Sequence, residues 1–405
     1  MEINRFRDMY KSISIGIILS VLISAKAAIA QEKQKADTSF KPSGKLWGYT
    51  FGDYYYKAHS DSLNRGGSNQ YTGIEKGRNA FQIRRVYLGY NYDISPKFAA
   101  EVLLAAEDNV TNSSGVTSGD LLSDGKLAFY IKLANLRWKN VWKGTDLIIG
   151  QVATPTFSLV TEPVWGYRFV ERTVADIRRT PSFDLGVALQ GKFDSQANFG
   201  YNLMVGNGNG ARPENDKFKW FYGDVFAKFL DKRIVVDLYA DYQRLNSTLT
   251  WHHSRNMIKG FVAYTTPAFT VGVEAFVNHG QQDVVGVQTL QRDTISAKAT
   301  AVSAFVKGSV IKDKLGFFTR LDNYNPDVNY NSNLYSSYKG LSGNYEPNNK
   351  ELFFTAGLDF TPVKNVHFVP NVWYNRYTSN QTGLTGSARR DHDLVYRLTF
   401  YYVYR

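Results

Sequence analysis

The chain has 405 residues, a formal charge of +12, no cysteine, and 15% aromatic residues, with 27 Tyr and 26 Phe, yet its mean hydropathy is only −0.33. The length fits one large domain or roughly two to three ordinary ones, and an aromatic-rich but polar chain fits strands that alternate apolar and polar residues. Disulfide frameworks, thiolate nucleophiles and Cys-based metal sites are excluded, and no dense Lys/Arg run supplies the basic stripe that nucleic acid requires, so no nucleic-acid partner is expected.

The first thirty residues read as a secretory signal. Arg5, Arg7 and Lys11 form a positive start, an apolar core follows over 13–23, and Ala28-Ile29-Ala30 supplies a small-x-small cleavage pattern near Ala30. The core is shorter than the roughly 20 residues a spanning helix needs. Gln31, not cysteine, follows the cleavage pattern, which argues against a lipid anchor. Residues 31–45 are a polar leader, and a barrel is expected over 46–405.

From there one unit repeats: an alternating segment, a short polar turn, a second segment, a long polar loop. Strands are expected at 46–57, 81–92, 98–106, 127–138, 146–152, 185–193, 199–205, 218–229, 234–243, 257–264, 269–278, 298–306, 315–323, 352–360, 366–374 and 394–404. About sixteen antiparallel strands, with short turns at one end and long loops at the other, predict an all-β transmembrane barrel with periplasmic turns and extracellular loops. A soluble sandwich has no reason to gather its long loops at one end. Parity sets the faces. On the last strand Leu394, Tyr396, Leu398, Phe400, Tyr402 and Tyr404 share one side, as a wall against lipid requires. Inward, the same parity places Arg85, Lys259, Arg320 and Arg397, and with them Glu101, Asp237, Asp241, Glu274, Asp322, Glu351 and Asp359. Acids outnumber bases on this wall.

The third long loop, GQVATPTFSLVTEPVWGYRFVERTVADIRRTPSFD over 150–184, is too long for a hairpin turn and too mixed for a strand. It is read as folding back into the bore over 153–183, with Arg168, Arg172, Arg178 and Arg179 facing Glu162, Glu171 and Asp176. Opposed charges across a narrow pore would set ion preference; the plainer alternative is an external loop held by its own salt bridges. Loops of this length without structure of their own are usually functional, which favours the first.

The terminal strand resembles the carboxy-terminal signal of outer-membrane barrels, although Arg405 follows Tyr404. The runs GQVATPTFSLVTEPVWGYRFVERTVADI, DLGVALQGKF and YNLMVGNGNG, with FQIRRVYLGYNYD and FFTRLDNY, resemble the family of phosphate-selective porins O and P. That resemblance implies a sixteen-stranded, trimeric diffusion channel in the outer membrane of a Gram-negative-type cell. It would prefer anions, phosphate among them, and its third loop would narrow the bore. The family's ladder of lumenal arginines does not align onto this chain. The expected partners are outer-membrane lipid and small polar or anionic solutes.

Other motifs point to no chemistry. Gly206-Asn207-Gly208-Asn209-Gly210 has no following helix and reads as a turn, not a phosphate loop. Asp327-x-Asn329-x-Asn331 lacks the glycine and closing glutamate of a calcium loop. His252-His253 has no second ligand pair. With no G-x-S-x-G and no nucleophile set, no enzyme, cofactor or metal is expected. The competing reading is a closed barrel that binds a partner through its external loops.

Overall fold

A computed structural model describes residues 40–66, 69–107, 128–178, 181–245, 252–288, 291–331, 337–340 and 348–404. The expected signal segment and Arg179 lie outside the described residues. Among those described, seventeen strands and three short helices occur. In chain order they are β1 (Ser43–His59), β2 (Asn79–Asp93), β3 (Phe98–Glu107), β4 (Phe129–Trp142), β5 (Thr145–Ala153), α1 (Thr161–Trp165), α2 (Val174–Arg178), β6 (Phe183–Lys192), β7 (Phe199–Gly206), β8 (Trp220–Phe229), β9 (Ile234–Arg244), β10 (Ser254–Thr265), β11 (Phe269–Gln288), β12 (Gln291–Ile311), β13 (Leu315–Asn325), β14 (Ser337–Gly340), β15 (Asn349–Val363), β16 (Val366–Ser379), α3 (Gly386–Arg389) and β17 (Arg390–Tyr404).

Every strand pairs antiparallel with its neighbour, β13 pairs directly with β15, and β17 returns to β1. Sixteen strands therefore close on themselves, leaving no unpaired sheet edge. The seventeenth, β14, pairs outside this ring with the far end of β11.

Side-chain alternation builds two unlike faces. On β9, Asp237 is fully buried while its neighbour Leu238 is 58% exposed. On β17, Val395 is fully buried and Tyr396 is 53% exposed. An apolar outer surface around a polar, filled interior inverts the usual soluble arrangement and suits a barrel in lipid. No helix among the described residues is long and apolar enough to cross a membrane, which says nothing about crossing by strands.

All sixteen expected strands are present, with ends shifted by a few residues. β1 begins at Ser43, three residues ahead of the expected start. The larger difference lies between β11 and β12. A long loop was expected after residue 278, but pairing continues to Gln288 opposite Gln291. The hairpin protrudes past its neighbours, because β10 pairs with β11 only as far as Gln281. The stretch holds Gln281, Gln282, Gln288 and Gln291 and sets Val284 beside Val285, so it carries no regular alternation that would mark it as strand.

Candidate functional site: the third loop and the lumenal wall

The third loop springs from Ala153 at the end of β5 and returns at Phe183. Its neck is closed by Thr154, whose N–H donates to Ser182 O at 3.1 Å and whose hydroxyl donates to Pro181 O at 2.7 Å. Beyond the neck the segment is markedly apolar. Phe157, Val160, Trp165, Phe169, Val170, Val174 and Ala175 are all buried. An external loop has nowhere to hide such residues from water except inside the barrel.

The turn that sends the loop back is built at Gly166. This residue caps α1 with φ 71°, and its N–H donates to Glu162 O at 2.8 Å. A left-handed residue at that position is the usual glycine helix stop. The Trp165 ring lies 5.0 Å from Phe305 of β12 and 6.1 Å from Phe318 of β13, and its indole N–H donates to Glu171 O at 2.9 Å.

The loop's tethers reach the wall on both sides of its origin as well as opposite it. The Thr156 hydroxyl donates to Tyr239 of β9 at 2.7 Å, and the Tyr167 hydroxyl donates to Asp359 of β15 at 3.2 Å. Phe169 stacks on Tyr401 of β17 with centroids 4.3 Å apart, and its carbonyl accepts a bond from Arg84 of β2. The Trp373 indole of β16 donates to Glu171 at 2.8 Å, and Arg320 of β13 donates to Arg172 O at 2.6 Å. Arg178, at the end of α2, makes a two-pronged pair with Glu351 of β15, both bonds 2.8 Å long. Forked Arg–carboxylate geometry fixes orientation as well as distance.

The expected loop residues come together, with Arg179 outside the described set. Arg168 pairs with Glu162 and, at 2.6 Å, with Asp176. Arg172 lies 3.9 Å from Glu171 and 4.0 Å from Asp176. Close by, Arg85 and Lys132 share Glu107, Arg85 at 3.2 Å. Burial raises the Glu162 carboxyl above its ordinary value even though Arg168 pulls it down. Burial acts the same way on Asp176, but Arg168 and then Arg172 outweigh it and hold that carboxyl low.

Of the expected wall residues, Lys259, Arg320, Arg397, Asp237, Asp241, Glu274, Asp322, Glu351 and Asp359 are buried inside, and Arg85 pairs with Glu107 there. Lys259 bridges Asp237 at 2.9 Å and the loop's Thr161 at 3.0 Å. Arg320 pairs with Asp322, its Nε bond being 2.9 Å. Arg397 donates to Asn371 at 2.7 Å. Asp241 accepts from the Met257 N–H at 2.9 Å and the Tyr239 hydroxyl at 2.7 Å. Glu274 is buried, and its Oε1 has no hydrogen-bond partner among the described residues.

Parity missed several residues. Arg84 faces inward together with its neighbour Arg85, because β2 bulges between the partners of Phe51 and Gly52. A second bulge in β4 turns Lys132 inward. An extra residue in one strand resets alternation; for Arg84 the adjacent charge of Arg85 is the sequence signal, whereas Lys132 lies between Ile131 and Leu133 and carries none. Lys307 of β12 sits 5.9 Å from the Tyr167 ring centroid and makes no ion pair among the described residues. The first long loop also reaches inward: Tyr71 is fully buried against Tyr55 and Trp373, and its hydroxyl donates to Asp53 at 3.2 Å.

The remaining motifs serve the fold. The Gly208 and Gly210 N–H groups donate to the Asp184 carboxylate at 2.6 and 3.2 Å, so the glycine turn cradles the chain's own acid. Asp327 accepts the Asn329 N–H at 3.0 Å, a local turn. His253 is paired with Asp283.

No protein-family model matches the chain, and no curated protein matches it in sequence. Solved structures do match its shape. The outer membrane channel DcaP of Acinetobacter baumannii superposes with a TM-score of 0.61 at 12% identity, covering 91% of this chain and 99% of that one. The anion-selective porin from Comamonas acidovorans gives 0.58 at 11% identity, covering 90% and 100%. OmpT of Vibrio cholerae gives 0.56 at 12% identity, covering 91% and 100%. The chain therefore has the closed, sixteen-stranded antiparallel fold of the outer-membrane porins.

Proposed function

We propose that this protein is an outer-membrane porin, a water-filled channel for passive diffusion of small polar solutes and ions, with residues 153–183 as its constriction. The observation that carries this reading is the set of tethers joining the third loop to β2, β9, β13, β15, β16 and β17. A preference for anions, phosphate-like ones among them, is the finer part of the reading. Lys307 and Arg397 carry charges with no carboxylate partner in ion-pair contact among the described residues, and Lys307 stands beside the loop at Tyr167. The net charge of +12 and the resemblance to phosphate-selective porins point the same way. The mature chain, cleaved near Ala30, would sit in the outer membrane as a homotrimer and need no cofactor or catalytic group.

Purified protein in a planar bilayer is expected to give stable conductance steps. Neutralising Arg168, Arg172, Arg178 and Arg179 together is expected to move the reversal potential in a salt gradient toward cations. Folded protein that leaves the bilayer silent would sink the channel reading, whereas steps with an unmoved reversal potential would remove only the loop's role in selectivity.

A second reading, a closed barrel that binds a partner through its external loops, is favoured by one observation. Val160, Trp165, Phe169 and Val170 pack in one apolar cluster with Phe51, Leu103, Phe261, Phe305 and Phe318, spanning the interior. Conductance separates the two readings directly.

A further inference from the structure

We propose that His59, Asp391 and His392 form a binding site for a late first-row divalent metal ion, zinc or copper(II), at the long-loop rim of the seam between β1 and β17. His59 is the last residue of β1, and Asp391 and His392 lie at the start of β17. One nitrogen from each ring and one oxygen of Asp391 all fall within 4.8 Å of one another. The Asp391 Oδ1 is 3.8 Å from His59 Nδ1 and 3.7 Å from His392 Nδ1.

The fold brings them together by a specific device. Regular alternation after the inward Lys57 would send His59 into the bore and leave His392 outside. β1 bulges between Lys57 and His59, and the extra residue turns His59 onto the outer side. There its ring stacks on that of His392, with centroids 3.8 Å apart and planes 8° apart. The carboxylate is held ready, since Asp391 accepts the N–H groups of Ser62 at 3.0 Å and His392 at 2.8 Å.

Two imidazoles and one carboxylate suit zinc or copper(II) better than calcium or magnesium, which select all-oxygen sites. His59 Nδ1 donates to the His392 carbonyl oxygen at 2.8 Å, and in the stack neither ring plane contains a point that both rings share as ligands, so capture requires the rings to swing apart and His59 to release that bond or to ligate through Nε2. Their side chains are 36% and 33% exposed, which leaves room for that motion and for water in the open coordination positions. A bound ion would join the first and last strands of the barrel through side chains, beyond their backbone ladder.

The test is titration of untagged, detergent-folded protein with zinc chloride by calorimetry, with electron paramagnetic resonance of added copper(II) as a second readout. One site per chain is expected. His59→Ala or His392→Ala should each weaken zinc by at least about tenfold and remove one nitrogen from the copper spectrum. Zinc should also raise the unfolding temperature of the wild type and leave that of the double variant unchanged. If an alanine variant fails to fold, His59→Gln and His392→Asn make the same measurement. Equal binding by wild type and the double variant would overturn the site and pass the ion to one of the other four of the chain's six histidines; a copper spectrum without nitrogen coupling would overturn it too.

Discussion

Arg84 and Arg85 stand side by side in the sequence, and both point into the bore. Each commits a cation to a different partner, Arg84 to Asp53 and Arg85 to Glu107. Around the loop, Arg85, Lys132, Arg168 and Arg172 face Glu107, Glu162, Glu171 and Asp176, four cations against four carboxylates. The group is balanced while every member is ionised. Glu162 breaks the tie, because burial raises it and it takes up a proton at higher pH than an ordinary carboxyl. Asp176, held low by Arg168 and Arg172, keeps its charge. Acidification should therefore leave four cations against three carboxylates and increase anion preference. Reversal potentials measured against pH check this. Glu162→Gln should show the acidic value already at neutral pH, with a flattened pH response; a Gln variant that titrates like wild type would rule the residue out. The charged loop residues were legible from their types and crowding. Arg84 was not, because a bulge changes which face a residue takes without changing what it is.

At the scale of elements, the third loop is held by a few buried contacts rather than by structure of its own. The Arg178–Glu351 fork joins two opposite charges by two bonds, both side chains being under a tenth exposed. Removing one partner strands the other charge in a buried site. Arg178→Ala should cost about 3 kcal/mol or more and free the α2 end of the loop, giving larger and noisier conductance steps. Arg178→Met with Glu351→Leu should recover much of the stability, since a packed apolar pair can replace a buried ion pair. Chemical unfolding of the two variants, beside their single-channel records, checks both statements. Equal step sizes in Arg178→Ala and wild type would mean that the remaining tethers suffice. The limits of this loop were readable within a residue or so, because Thr154-Pro155 breaks β5 and Pro181 precedes β6. The extended β11–β12 hairpin was not readable. Its sequence sets Val284 beside Val285 and interrupts the apolar–polar period, so no alternation betrays it.

For the whole molecule the governing fact is the inverted environment. In the proposed outer-membrane setting, outer residues meet hydrocarbon, and inner ones meet water and the folded loops. Leu238, near the middle of β9, is 58% exposed on the outer face. Leu238→Arg should cost about 2–4 kcal/mol of stability in lipid vesicles. Gln243→Asn, on the inner face of the same strand and outside any buried ion pair, should insert normally. Refolding yield into vesicles, scored by heat-modifiable gel mobility, separates the two; similar yields would argue against lipid around this wall. At the barrel's seam, Lys57 is fully buried and bonds Asp393 at 2.6 Å across β1 and β17. Lys57→Met should destabilise the closed barrel by about 3 kcal/mol, because Asp393 then keeps its burial and loses its cation.

The sequence by itself determined the strands, their number, their two faces and the existence of a long third loop. All of these follow from period-two alternation and turn chemistry, which are local and survive in a linear string. Only the tertiary structure decided where the chain departs from that period: the bulges that turn Arg84, Lys132 and His59 to new faces. It also decided which distant residues meet. Arg178 finds Glu351, and His59 finds His392, because closing the barrel brings residues far apart in sequence within reach, and no local pattern encodes that closure.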